Sequence, residues 1–376
     1  MARYVVNDTE LISVADTIRT KGNTSAQLEW PIGYIEAIND FQIGDSGNEI
    51  GEKIITRTIS NYANEKIKSI GSYAFTTCTN LTSVDFPACT TIGMYAFTNC
   101  INLTTVSFPM CTEIGDYALG GCVGLTNADF PICTSIGEGA FAQCTSLANI
   151  NFPMCTTIKD TGFAYCTNFT TVSFPMCETI GASAFFNCTN LTNIDFPVCT
   201  TIGRAAFSQC NNLSNVDFPL CTTIGAYAFA YCSNFTTISF PACTSIDTYA
   251  FVSCYSLTTA SFSLCTTIGG NAFAYCSNLT TVSFPVCTTI SGSSNFRGCT
   301  RLLSAYFLGS SIPKLTYSNA FSSTPIGGYT TATQGISGSI FVRASLLTQF
   351  QSAANWKYYS SRMVGLTDEE IVALDT

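Results

Sequence analysis

The chain has 376 residues, of which 47% are hydrophobic and only 10% charged, and its formal net charge is −9. This acidic balance offers no basic patch and argues against nucleic acid as a partner. The sequence has no histidine, which excludes catalytic triads and general bases that use an imidazole. The first twenty residues contain no apolar signal-peptide core, and no later stretch is long enough to span a bilayer. We therefore expect no membrane insertion.

Residues 1–45 form a separate unit with two helical patterns. Asn7 or Asp8 can cap the first helix, and Gly22 stops it. Two short helices do not make a stable domain alone. The unit therefore either caps the rest of the chain or docks onto another protein or onto copies of itself. The candidate attachment residues are Leu11, Ile18, Trp30, Tyr34 and Ile38.

After a polar linker at residues 46–58, one 22-residue phrase repeats through residues 59–308. The reference copy, CTNLTSVDFPACTTIGMYAFTN, begins at Cys78. Each of its large apolar side chains contributes roughly 1.5–3 kcal/mol if fully buried, whereas ordering each residue costs about 1.5 kcal/mol. A lone copy therefore cannot fold, because its few buried side chains do not offset the cost of ordering 22 residues. The copies must stack and cover one another's apolar edges, which predicts a solenoid.

Each copy has two halves with different periodicity. In residues 83–87, Val84 and Phe86 alternate with Ser83, Asp85 and Pro87, which is typical of a strand with one buried face. In residues 92–100, apolar side chains recur at a helical spacing. This second half predicts a tight turn at Gly93 followed by one short helical or 3₁₀ turn.

The phrase resembles the BspA-like leucine-rich repeats, whose consensus reads roughly LxxIxLPxxvxxIGxxAFxxC. The resemblance covers about Ile59 to Phe307. The repeat here is one residue shorter between the Pro and the Ile, and Cys89 and its equivalents replace a small aliphatic residue. The resemblance implies an α/β repeat solenoid, namely a right-handed leucine-rich-repeat array with a parallel β-sheet.

Residues 10–38 are similar to a short N-terminal module, (I/V)ADAIRxKxGxS…(F/W)PxxFxxAI, found in structural proteins of tailed phages of Gram-positive bacteria. The matching stretch runs from Glu10 to Gly22 and continues through Trp30 and Tyr34 to Ile38. In that family the module precedes variable distal modules, often on tail or baseplate proteins. The resemblance implies that residues 1–45 attach the chain to other virion proteins.

Residues 309–376 leave the period and are predicted to cap the open end of the array. A strand at Ser339–Val342, a helix near Ala344–Ala353 and Trp356 resemble the closing segment of the same repeat family, (I/V)YVPxxLxxxYxxxxxW. Arg343 stands where that segment has proline. A short acidic helix at Asp368–Leu374 ends the chain.

All 21 cysteines lie in the repeat array, eleven residues apart except at Cys299. Zinc sites need four close ligands, typically in CxxC pairs or with histidine, so this spacing argues against zinc. Equivalent cysteines in stacked coils would lie about 4.8 Å apart in parallel, a poor fit to disulfide geometry. Core packing as a small hydrophobe is favoured, and no cofactor is expected.

The exposed side of the strands is the candidate ligand surface. One of its columns carries carboxylates, and paired carboxylates can serve a glycosidase, but most neighbouring coils have Ser or Asn in that column. A second varied column carries tyrosines, which make adaptable contacts. The candidate residues are Asp85, Asp129, Asn151, Asp195, Asp217, Asn127, Asn149, Asn193, Tyr95, Tyr117, Tyr227 and Tyr249.

These patterns together predict a non-catalytic phage structural protein associated with a tail or baseplate. Its repeats would bind a host-surface protein or glycan. It would be made in the host cytoplasm without a signal peptide and reside in the virion. Two alternatives remain open: a bacterial cell-surface adhesin of the BspA-like type, and a glycan-cleaving enzyme.

Overall fold

A computed structural model describes residues 49–50, 61–214, 216–328 and 337–374. The predicted N-terminal unit at residues 1–45, with its candidate attachment residues, lies outside these ranges, as does most of the predicted linker. The chain divides into two compact units, Met1–Asn168 and Phe169–Thr376. Within each unit, 22-residue coils stack with their strands parallel, so the predicted parallel solenoid is confirmed.

In the first unit, two-residue strands at the isoleucine column form one parallel sheet, which we call the isoleucine sheet. Ile92, Ile114 and Ile136 point into the core and the residue before each of them points outward, because side chains alternate along a strand. The strands are Glu49–Ile50, Ser69–Ile70, Thr91–Ile92, Glu113–Ile114, Ser135–Ile136 and Thr157–Ile158.

The other half of each coil in the first unit contributes a three-residue strand whose middle side chain points inward. The two outer side chains of each strand form the surface that we call the strand face. Asn61–Ala63, Ser83–Asp85 and Thr105–Ser107 pair in register, and Asn127–Asp129 pairs with Asn149–Asn151.

The second unit repeats both strand systems. Its isoleucine sheet contains Thr179–Ile180, Thr201–Ile202, Thr223–Ile224, Ser245–Ile246, Thr267–Ile268, Thr289–Ile290 and Lys314–Leu315. Its strand face contains the paired strands Thr171–Ser173 and Asn193–Asp195, and a five-stranded sheet of Thr259–Ser261, Thr281–Ser283, Ser304–Phe307, Ser339–Arg343 and Met363–Leu366.

The short helical turn predicted after Gly93 is wrong. Tyr95 and Asn99 adopt left-handed φ angles of 56° and 59°, which end any helix, and the segment folds as turns. The backbone N–H groups of Tyr95 and Phe97 donate to carbonyls of the following coil at 2.9 and 2.7 Å. A Cβ at Gly93 would approach the backbone N of Ser72 to 2.6 Å, so glycine permits the coils to stack this closely.

Two columns of phenylalanine rings form the core of each unit. Rings of one column stack at centroid distances such as 5.5 Å for Phe86 and Phe108, and meet the other column edge to face, as Phe97 and Phe108 do at 5.9 Å. Offset stacks and edge-to-face pairs are the favoured arrangements of aromatic rings. The stacking of identical rings therefore makes each coil cover its neighbour, as the repeat predicts.

All 21 cysteines are buried. In one column the Sγ atom donates to a carbonyl of the previous coil, as Cys144 does to Leu119 at 3.2 Å. In the other, it donates to the carbonyl two residues on, as Cys155 does to Thr157 at 3.3 Å. Burial raises the pKa of Cys144 to about 12. The cysteines are therefore core residues.

The C-terminal segment continues the strand face and covers the end of the core in the second unit. It contains 3₁₀ helices at Ala344–Leu346 and Trp356–Arg362 and α-helices at Leu347–Ser352 and Asp368–Val372. The buried indole of Trp356 packs against Phe307 at 5.3 Å and against Phe321 at 6.4 Å, the last rings of the two columns. Its Nε1 donates to the carbonyl of Pro313 at 2.7 Å.

Candidate ligand-binding surface

The strand face presents every polar strand residue predicted for the ligand surface. In each three-residue strand the middle side chain is apolar and points into the core, and the two flanking side chains face solvent. The exposed candidates are Asp85, Asp129, Asn151, Asp195, Asp217, Asn127, Asn149 and Asn193.

Side chains on the strand face bond to their counterparts one coil away. Asn149 Nδ2 donates to Asn127 Oδ1 at 2.9 Å, and Asn151 Nδ2 donates to Asp129 Oδ1 at 2.8 Å. In the second unit, Ser173 Oγ donates to Asp195 Oδ2 at 2.7 Å. These bonds hold short side chains in fixed rows, so a ligand meets hydrogen-bonding groups that are already oriented.

A shallow depression of about 380 Å³ lies on the strand face of the first unit. It is lined by the strands Asn61–Ala63, Ser83–Asp85 and Thr105–Ser107. The hydroxyls of Thr82 and Ser83 both donate to Asn61 Oδ1, at 2.9 and 2.5 Å. Its size is at the lower end for small-molecule sites, and its lining mixes polar residues with Tyr62, Val84 and Val106.

The carboxylates lie in one outward column, mostly beside neutral residues. Asp85 pairs in register with Ala63 and Ser107, and Asp129 pairs with Asn151. Asp195 and Asp217 fall one repeat apart, but Asp195 turns its Oδ2 toward Ser173 on the other side. The described strands carry these acids on an open face. No metal-ligating cluster occurs among the described residues.

The four candidate tyrosines lie in the turns after the isoleucine sheet, outside the strands of the strand face. The structure brings Tyr95 and Tyr117 together, stacked at 5.1 Å, and Tyr227 and Tyr249, stacked at 4.7 Å. All four are half-buried and have φ between 54° and 60°. The tyrosines therefore brace one another along the turns.

Two of these tyrosines also contact a charged side chain. Tyr117 OH donates to Glu138 Oε1 at 2.7 Å, and this bond to a carboxylate, aided by burial, raises the pKa of Tyr117. The guanidinium of Arg204 lies 5.2 Å from the ring centroid of Tyr227, a cation–π distance.

An aromatic step on the strand face of the second unit was missed by sequence reasoning. Tyr306, Phe341 and Val364 occupy one outward column on successive strands. The signal was present in the alternation of residues 304–307 and 339–342, whose first and third positions align with those of the repeat strands. Aligning the closing segment with the repeat would have placed both rings on the strand face.

A row of exposed apolar side chains was also missed. It occupies the residue before the cysteine in most of the turns that follow the strand face. Met154 and Leu220, for example, are 50% and 49% exposed. We call this the apolar row; it consists of Met110, Ile132 and Met154 in the first unit and Met176, Leu220, Leu264 and Val286 in the second.

The repeats identify the family. The model described as "BspA type Leucine rich repeat region (6 copies)" matches residues 55–170, 112–220, 156–263 and 200–327. The chain belongs to the BspA-type leucine-rich-repeat family. No helix among the described residues of this BspA-type chain is both long and apolar enough to cross a membrane. A comparison with curated protein sequences gave no match.

Solved structures similar to this BspA-type chain come from several bacteria. A leucine-rich cell surface protein from Faecalibacterium prausnitzii A2-165 is 26% identical, with 70% of this chain and 83% of that chain covered and a TM-score of 0.43. A leucine-rich repeat protein from Bacteroides ovatus ATCC 8483 is 22% identical, with 69% and 84% covered and a TM-score of 0.47. The pneumococcal vaccine antigen PcpA is 14% identical, with 82% and 88% covered and a TM-score of 0.47.

Proposed function

We propose that this BspA-type protein is a non-catalytic recognition protein whose strand face binds a host-surface protein or glycan. The observation that carries the proposal is the set of fixed polar rows, in which Asn149 bonds to Asn127 and Asn151 bonds to Asp129 across coils. The rows are exposed, short and mostly uncharged. Such a surface recognises its ligand by hydrogen bonding rather than by charge steering.

We further propose that the protein is a structural component of a phage particle, associated with the tail or baseplate. The resemblance of residues 10–38 to a module of tailed-phage structural proteins supports this location. The N-terminal unit then attaches the chain to other virion proteins or to its own copies. The strand face of the repeats would be presented to the host envelope.

The test is the location of the protein in a lysed culture of its source. We expect an antibody against residues 71–290 to label particles that sediment as virions, at the tail tip. The antibody should also block adsorption of those particles to host cells. Label confined to cell envelopes, with none on particles, contradicts the virion location and selects the alternative, a BspA-like surface adhesin. Adsorption that continues unchanged with the antibody bound contradicts recognition by the repeats.

A further inference from the structure

Three outward side chains form an apolar step in a column of the strand face whose other strand residues in the second unit are polar. Strand register places Tyr306 beside Phe341 and Phe341 beside Val364. The rings of Tyr306 and Phe341 stack with centroids 4.6 Å apart and planes 13° apart. Both rings are half-buried, and Val364 is 39% exposed. Val364 and Tyr306 therefore lie on opposite sides of Phe341 along this column.

On the other side of Tyr306, the same column continues with serine. Ser283 pairs in register with Tyr306, and Ser261 pairs with Ser283. A serine side chain is too short to cover the face of a phenol ring. At a strand spacing of about 4.8 Å, two coils leave roughly 10 Å of open floor beside that ring. We call this space, bordered by Tyr306, Ser283 and Ser261, the serine notch.

The floor of the serine notch carries two hydroxyl groups that can bind a ligand. Among the described residues, the hydroxyls of Ser261 and Ser283 form no hydrogen bond with another protein group, whereas Ser173 in the same column donates to Asp195 at 2.7 Å. An exposed hydroxyl can donate one hydrogen bond and accept two. Both serines can therefore bind a polar ligand without breaking a bond within the protein.

The surroundings of the serine notch favour an uncharged ligand. Arg343 lies on the same strand as Phe341, but its Nε donates to the carbonyl of Leu308 at 2.8 Å and its guanidinium forms an ion pair with Asp368. Its charge is therefore compensated. The three residues that border the notch are neutral.

We propose that the serine notch binds one ring of a neutral saccharide. The sugar ring stands on the sheet beside Tyr306 and continues the stack of Val364, Phe341 and Tyr306 by one layer. The apolar C–H face of a sugar packs against an aromatic ring, and its hydroxyls meet Ser283 and Ser261 at the floor. The inference rests on the proposed function, because it assigns a glycan subsite to the strand face.

The experiment titrates the full-length chain with the methyl glycosides of glucose, galactose, N-acetylglucosamine and rhamnose, using saturation-transfer NMR. We expect at least one glycoside to bind, and Tyr306→Ala to weaken its binding about tenfold through loss of the stacking ring. Tyr306→Phe keeps the ring and should bind within about threefold of the wild type. The matched control is Tyr358→Ala, which removes a tyrosine that is 65% exposed on the 3₁₀ helix and should leave binding unchanged.

Ser283→Leu tests the space itself, because it fills the notch while keeping the ring of Tyr306. It should weaken binding about tenfold as well. The proposal is overturned if no glycoside binds at concentrations on the order of 10 mM, or if Tyr306→Ala binds as the wild type does. A wild-type chain that binds host envelope but no glycoside overturns the notch alone. A chain that binds neither overturns the proposed function too.

Discussion

The isoleucine sheet and the strand face are built from the same repeat, yet their outward positions differ in how much they vary. On both surfaces, a threonine before many of the strands donates to a backbone carbonyl one coil earlier, as Thr112 does to Thr90 at 3.2 Å and Thr192 does to Thr170 at 2.8 Å. Within the strands of the strand face, varied side chains also bond to one another, as Asn151 does to Asp129. The threonine positions are repeated for stacking, whereas the strand-face positions vary between coils and are available to a ligand.

The comparison predicts that changes to the stacked core have large effects on stability and small direct effects on recognition. The largest effect should come from the cysteine columns at alkaline pH. Burial raises the pKa of Cys144 and of Cys210 from the usual 9.0 to about 12. Above pH 9 the unfolded chain therefore releases protons that the folded chain retains. Each such thiol should lower the free energy of unfolding by about 1.4 kcal/mol per pH unit until the pH reaches about 12.

We expect the chain to unfold cooperatively within this window and to keep its thiol-dependent stability below pH 9. The measurement is denaturant unfolding followed by circular dichroism from pH 8 upward, in the presence of a reductant. Cys144→Ala and Cys210→Ala serve as controls, because each should reduce the pH slope by about 1.4 kcal/mol per unit. Equal slopes for these variants and the wild type would contradict the assignment.

A smaller but still large effect should follow Phe207→Ala. Phe207 is fully buried between Phe185 at 5.2 Å and Phe229 at 5.4 Å. Removing its ring opens a cavity in the column and should lower the free energy of unfolding by about 3–5 kcal/mol. Denaturant unfolding measures this, with Asn193→Ala on the strand face as the matched control, expected within about 0.5 kcal/mol of the wild type. A loss below about 1 kcal/mol for Phe207→Ala would show that the ring column is not the core.

The next largest loss of stability should come from a glycine at which the neighbouring coil lies too close to admit a methyl group. A Cβ at Gly203 would lie 2.6 Å from the carbonyl carbon of Gly181 on the previous coil, whereas a Cβ at Gly120 would lie 3.2 Å from the nearest atom. Gly203→Ala should therefore cost about 1–3 kcal/mol through a forced backbone shift. Gly120→Ala should cost less. The ranking of the two melting temperatures checks the claim, and the reverse order would contradict it.

The smallest effect on stability is expected on the strand face. Asn149→Ala removes one exposed bond, the 2.9 Å contact with Asn127, so the free energy of unfolding should change by less than about 1 kcal/mol. Thermal unfolding monitored by circular dichroism measures it. A loss comparable to that of Phe207→Ala would mean that the rows hold the fold together rather than present a surface.

Much of the fold was predictable because the repeat itself reports the packing. The columns of Phe, Ile and Cys recur at a fixed period, and identical residues at a fixed period must stack in one environment. The second half of each coil was not predictable from its spacing. Its Ile92, Ala96 and Phe97 fit a helix, but the hydrogen bonds between coils and the left-handed φ of Tyr95 prevail over that local pattern.

The candidate surface was predicted in part. Alternation along the strands placed Asn149, Asn151 and Asp195 outward, as the structure finds. Their hydrogen bonds across coils depend on distances between side chains of adjacent coils, which the sequence of one strand does not determine. The stack of Tyr306 and Phe341 was missed because the two rings lie 35 residues apart, outside the 22-residue period.

The most direct test of the central claim compares two surfaces in one binding measurement. Full-length chains carrying Asn149→Lys and Asn193→Lys on the strand face, or Met154→Lys and Leu220→Lys on the apolar row, would be titrated onto host cell envelopes. All four residues are exposed, so the variants should fold alike. We expect the strand-face pair to bind at least about tenfold more weakly than the wild type, and the apolar-row pair within about twofold. Loss of binding in the apolar-row variant, with the strand-face variant unchanged, would contradict the account.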